Sequence, residues 1–145
     1  MRTRVGYAGG TTDQPTYQSI GDHSEAIEID YEPAVVTYAE LLEVFLASHN
    51  PARAPFKRQY RSAIFYANPD QQRDAKAALE AESLRRGEPL ATDLEPHTGF
   101  TLAEDYHQKY RLRSNPDLLA SLRAKYPDPA DFLAAPEVTR ANAAS

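Results

Sequence analysis

The sequence predicts an α+β protein built in two layers, a mixed β-sheet with helices packed on it. Three observations carry that prediction. SEAIEIDY at 24–31 alternates with the period of a strand that has one buried face. TYAE at 37–40 reads as a capping box, and the Asn-Pro pairs at 68–69 and 115–116 read as two further helix starts. Strand and helix signals follow one another irregularly, not in a strict repeating unit, and packing helices on one sheet buries them economically.

The elements follow in order. Arg2–Ala8 reads as a strand delivered directly into Gly9-Gly10. With few apolar residues and little to protect an exposed edge, it would make a poor first strand. Residues 9–22 form a turn-rich loop carrying Asp13, Pro15 and Gly21. In the strand that follows, Glu25 shares the parity of Ile27, Ile29 and Tyr31, which places a carboxylate on the apolar face. Pro33 ends the strand. A helix follows over about 37–48, with Leu41, Leu42, Phe45 and Leu46 as its apolar stripe. Residues 49–59 are irregular, and 60–67 read as another strand. A helix from Asn68-Pro69 stops at Gly87, with Glu82 and Arg86 as an i, i+4 pair. Residues 91–95 are a short strand candidate, 102–113 a polar segment helical in places, and 115–126 a third helix. Residues 1–126 are expected to form a single domain. Residues 127–145, rich in Ala and Pro, are expected to wrap the surface or fray.

Composition narrows the function classes. The chain of 145 residues is 41% hydrophobic and carries a net charge of −5. It shows no basic stripe interleaved with aromatics, which argues against a nucleic-acid partner. The densest basic stretch, 53–61, reads as a solvated loop. No apolar run approaches the ~20 residues of a membrane span, and without a signal-like opening a cytoplasmic location is expected. The chain has no cysteine, so disulfides, thiolate metal sites and cysteine nucleophiles are excluded within these residues. His23, His49 and His97 are scattered, and no metal or cofactor is expected. Gly9-Gly10 lacks the lysine and helix start of a phosphate loop.

Four stretches together resemble one family: VGYAGGTT at 5–12 with PTY at 15–17, GDHSE at 21–25, RQYRSAIF at 58–65, and AEDYHQKY at 103–110. In this order and at these spacings the chain is similar to the A-type peptide methionine sulfoxide reductases. The resemblance covers nearly the whole chain and implies a ferredoxin-like-related two-layer fold. Family members open with a strand, a Gly-Cys-Phe-Trp motif and a helix, upstream of the segment matching Val5 to Gly10. That first strand and helix, with the nucleophilic cysteine, are not among these residues. The expectation is therefore a fragment, or a start placed too far downstream, inactive as it stands. The alternative is a cysteine-less pseudoenzyme that binds methionine sulfoxide or a protein.

The resemblance also implies site roles. The family reduces the S epimer of methionine sulfoxide, free or in proteins, with a thiol reductant of the thioredoxin type. A thiolate attacks the sulfoxide sulfur and the oxygen leaves as water, so an acid and neutral donors are needed beside the oxygen. Glu25 matches the acid, with a carboxyl expected to be raised by desolvation. Tyr17 and Tyr60 match the two phenols that hold the oxygen. Asp105 and His107 are further candidates for the substrate pocket. The residues alone leave other readings open: a strand-end carboxylate bonded to backbone amides for Glu25, core-edge packing for the tyrosines, and a helix-surface network for His107. Pro55 stands where relatives often carry an acidic residue, five positions before the site tyrosine.

Overall fold

The computed structural model describes all 145 residues. It contains five strands and five helices: β1 (Arg2–Ala8), β2 (Ser24–Asp30), α1 (Tyr38–Ala47), β3 (Ala63–Tyr66), α2 (Pro69–Arg86), β4 (Asp93–Pro96), β5 (Phe100–Leu102), α3 (Pro116–Lys125), α4 (Pro129–Ala134) and α5 (Pro136–Ala144). Single 3-10 turns lie at Arg58–Tyr60, Asp105–His107 and Leu112–Ser114. The α+β class stands, and the mixed sheet takes the form of two small ones. One is antiparallel, in the order β2-β1-β5; the other is the parallel pair β3-β4.

β1 is not an edge. It is the central strand of its sheet, with β2 on one side and β5 on the other. Its few apolar residues are explained by cross-strand charge pairs: Arg4 meets Glu28 at 2.5 Å and Asp30 at 3.1 Å, and Arg2 meets Asp30 at 3.2 Å. The three-residue β5 was not foreseen. It pairs Gly6 with Leu102 and Ala8 with Phe100. Beyond it the buried amide of Gln108 continues the pairing, accepting from the Val5 N–H at 3.1 Å and donating to the Val5 carbonyl at 2.8 Å. Gly6 is the point of closest approach. A Cβ there would stand 2.3 Å from the Thr101 carbonyl oxygen and 2.4 Å from the Phe100 ring. Gly6→Ala is expected to lower stability by roughly 2 kcal/mol, since backbone must move to admit it; a urea midpoint unchanged from the parent would contradict this.

The three anticipated helix starts are present. Thr37 and Glu40 form the reciprocal capping box, Asn68 and Asn115 cap from their side chains with Pro following, and Gly87 ends α2 at φ +68°. Glu82 pairs with Arg86 at 2.6 Å and also with Arg85. The strand expected over 60–67 is shorter, because Tyr60 belongs to the preceding 3-10 turn. The solvated-loop reading of 53–61 fails at Arg61, which is buried.

The core has two centres. Leu42, Ile64 and Ala75 pack where α1 and α2 lie against β3. The larger cluster joins Leu112 and Leu122 to Phe132, Leu133, Ala135 and Val138. Residues beyond 126 form short helices that pack on β1 and supply most of that cluster. Lys109, buried and at φ +51°, ties β1 to α5. Its ammonium donates to the Thr3 carbonyl at 2.7 Å and to Thr139 Oγ1 at 3.1 Å. Burial, then the nearby Arg4 charge, lowers its pKa. No helix is long and apolar enough to cross a membrane.

Candidate active site

Glu25 lies near the start of β2, directly opposite Tyr7 of β1. Strand parity does put it on the face of Ile27, but that face is open. Glu25 is exposed and Ile27 is 59% exposed. The burial expected to desolvate the carboxyl is thus not supplied by these residues. Glu25 instead lines a cleft of about 350 Å³, together with Val5, Tyr7, Ile27, His107 and Tyr110. No hydrogen bond or ion pair within the chain engages its carboxylate, so the strand-end reading, which needs bonds to backbone amides, has no support.

Tyr60 closes the 3-10 turn beside the start of β2, its N–H donating to the Lys57 carbonyl at 3.0 Å. Its phenol is raised above the ordinary value, first by the neighbouring Tyr17 phenol, then by burial, with Glu25 adding to the effect. Tyr17 and Tyr60 are 44% and 52% exposed, which is not the core-edge packing the tyrosines could have had.

A carboxylate outside the candidate set organises this corner. Glu104 accepts from the Tyr7 hydroxyl at 2.8 Å and from the Tyr17 N–H at 3.0 Å. Burial works to raise its carboxyl, but those two hydrogen bonds outweigh it and hold the pKa below the ordinary value. Nothing local in the sequence marks Glu104, because its partners lie 97 and 87 residues away. Asp105, its neighbour, is not brought to the cleft. It is drawn outward to Arg113 and Arg123, at 3.1 and 3.2 Å, and these pairs hold it below the usual carboxylate range against the effect of burial. His107 does line the cleft, with its ring centroid 5.0 Å from that of Tyr17. Its Nε2 is buried without a hydrogen-bond partner, 3.5 Å from Glu104. His23 serves the loop instead: Nδ1 accepts from the Gly10 N–H at 3.2 Å and Nε2 donates to the Thr12 carbonyl at 2.7 Å. No three His, Asp or Glu side chains converge as metal ligands would.

The arrangement offers an unengaged carboxylate, two phenol donors and an apolar cleft with a histidine in its wall. That set can polarise and protonate a neutral oxygen, and the cleft can take a small apolar group beside it. Residues 1–131 match the family described as peptide methionine sulfoxide reductase. A peptide methionine sulfoxide reductase of Drosophila melanogaster is 46% identical over 124 residues, which is 84% of this chain but 50% of that protein. The Geobacter sulfurreducens MsrA is 42% identical over 76% of this chain and 75% of its own length. Among solved structures, reduced Mxr1 from Saccharomyces cerevisiae superposes with a TM-score of 0.72 at 29% identity, covering 79% of this chain and 71% of that one. The Corynebacterium diphtheriae methionine sulfoxide reductase A gives 0.68 at 33% identity, covering 79% and 63%. The chain thus spans half the length of its Drosophila relative and about two thirds to three quarters of the other three. With a family model matching residues 1–131 and relatives 46% and 42% identical, the chain belongs to the peptide methionine sulfoxide reductase family.

Proposed function

We propose that these residues carry the acid-and-phenol half of a peptide-methionine (S)-S-oxide reductase site. The observation that carries the reading is the unengaged Glu25 in the wall of the cleft, with Tyr17 packed on His107 of the same wall and the Tyr60 phenol influenced by both Tyr17 and Glu25. The sulfoxide oxygen accepts hydrogen bonds from the two phenols and a proton from Glu25, while the methyl group enters the apolar cleft. Overall, one sulfoxide and two thiols give one thioether, one disulfide and water. The attacking thiolate is not drawn from these residues, which contain no cysteine. Serine and threonine hydroxyls do not replace it, because they neither attack sulfur comparably nor form the disulfide that resets the site. The chain is therefore inactive by itself. Its activity requires a cysteine from a further segment and a thioredoxin-type reductant, in a cytoplasm that keeps thiols reduced.

Two features support a further segment. β2 and β3 each have one unpaired edge, and Ile27 and Glu25 lie on an uncovered face. The test joins a strand and helix bearing Gly-Cys-Phe-Trp ahead of Met1 and assays thiol-dependent reduction of methionine-S-sulfoxide. Turnover in the joined protein and none in the parent is expected. A folded, inactive joined protein would overturn the reading.

A second reading, a cysteine-less module that binds methionine sulfoxide or a protein, is favoured by the open cleft in a chain without cysteine. It is tested by calorimetry with L-methionine-S-sulfoxide and predicts saturable binding, weakened about tenfold by Tyr60→Phe. Absence of heat and of competition would dismiss it.

A further inference from the structure

Arg61 is the one arginine whose side chain is almost fully buried, at 3% exposure, and it sits where the two sheets meet. Its Nε donates to Ser24 Oγ at 2.7 Å, at the start of β2. Nη1 donates to Asp93 Oδ2 at 2.9 Å and to Glu95 Oε1 at 2.7 Å, and Nη2 to Glu95 Oε2 at 3.0 Å, all on β4. No ladder bonds join the two sheets. Tyr60 immediately precedes Arg61, and Glu25 immediately follows Ser24.

We propose that Arg61 is a positioning residue: its guanidinium clasps β2 to β4 and so fixes the separation of Tyr60 and Glu25. The proposal rests on the site reading above. The partners show why the clasp does more than neutralise charge. Asp93 and Glu95 alone would satisfy a buried cation, yet both lie on one strand. The fourth bond reaches the other sheet through a serine that carries no charge. Ser24 is held from a second side, its hydroxyl donating to the Arg58 carbonyl at 3.1 Å. Arg58 in turn donates to the carbonyls of Asp22 and Gly9. The Gly9 turn closes on the same group, since a Cβ there would stand 2.5 Å from Arg61 Nη2. A planar fork can serve three acceptors on two elements at once, which the compact ammonium of lysine cannot do in the same geometry.

The test compares Arg61→Lys and Ser24→Ala with the parent chain. Ser24→Ala removes the arm to β2, and with it the serine's own bond to the Arg58 carbonyl, and leaves the bonds to both carboxylates intact. Two properties are read: the titration of the Tyr60 phenol by ring-carbon NMR without ligand, and calorimetric binding of L-methionine-S-sulfoxide. In both variants the Tyr60 titration is expected to move down from its position in the parent, by the part of the elevation that the Glu25 charge supplies. Sulfoxide affinity is expected to drop about tenfold, the size of one lost charge-assisted hydrogen bond. A Tyr60 that titrates alike in the parent and in folded Ser24→Ala overturns the proposal, because a purely structural arginine would leave it so. If Arg61→Lys does not fold, Ser24→Ala decides alone. A variant-dependent Tyr60 shift in a chain that binds no sulfoxide would support the clasp and overturn the sulfoxide-binding reading of the site instead.

Discussion

Ending the chain after Tyr126 is expected to abolish its cooperative unfolding transition. The last nineteen residues look dispensable by composition, but their side chains are not. Phe132, Leu133, Ala135 and Val138 are each at most 7% exposed and make up four of the six members of the larger core cluster. Buried Phe and Leu side chains are each worth several kcal/mol when lost. Together these residues account for roughly 10 kcal/mol, comparable to the whole stability of a domain this size. Truncation would also leave Leu112 and Leu122 facing water. It would remove the Thr139 hydroxyl from Lys109, leaving a buried ammonium one partner short. Thermal and urea unfolding followed by circular dichroism would check this: the full chain should give a sigmoidal transition, and residues 1–126 a broad or absent one. A truncated chain that unfolds cooperatively near the parent midpoint would show that the terminal helices are an appendage and that the domain ends near 126.

What was legible in the sequence is what is decided locally. Thr37 with Glu40, Asn68-Pro69 with Gly87, and Asn115-Pro116 fix helix ends through hydrogen bonds that span a few residues, so their types and spacing suffice to read them. The alternation in β2 was equally visible. What was not legible depends on distant partners. β1 is central because β5, some ninety residues later, pairs with it, and a three-residue strand leaves no periodicity to detect. α4 and α5 carry few apolar residues over short spans, and only their seating on α3 and β1 gives those residues a core. Arg61 lies in a run of cations that reads as solvated, and it is buried because Asp93 and Glu95 of β4 and Ser24 of the other sheet all accept from it. Strand parity singled out Glu25, but its role as an acid, and Tyr17 and Tyr60 altogether, came from the resemblance rather than from pattern. The same resemblance includes Glu104 in the stretch 103–110 but assigns it no role; in the structure it holds Tyr7 and Tyr17 in place.

In the cysteine-bearing joined protein, Glu25→Gln is expected to cut the turnover number by about 10²–10⁴-fold, the range a positioned general acid supplies. The amide keeps the shape and polarity of the side chain but has no proton to give. The sulfoxide should therefore still enter the cleft, and KM should change far less than kcat. That asymmetry marks an interaction made in the transition state rather than in binding. Tyr60→Phe removes one donor to the oxygen but leaves the acid, so its loss should be smaller, about 10²-fold. The ordering is the informative part. Glu25 is exposed in the chain alone and has no partner to hold it in another role. If Glu25→Gln turns over within a fewfold of the parent while Tyr60→Phe is crippled, protonation by Glu25 is not part of the reaction. The phenols would then have to deliver the proton themselves, and the open face beside Ile27 would be a binding surface rather than the seat of the acid.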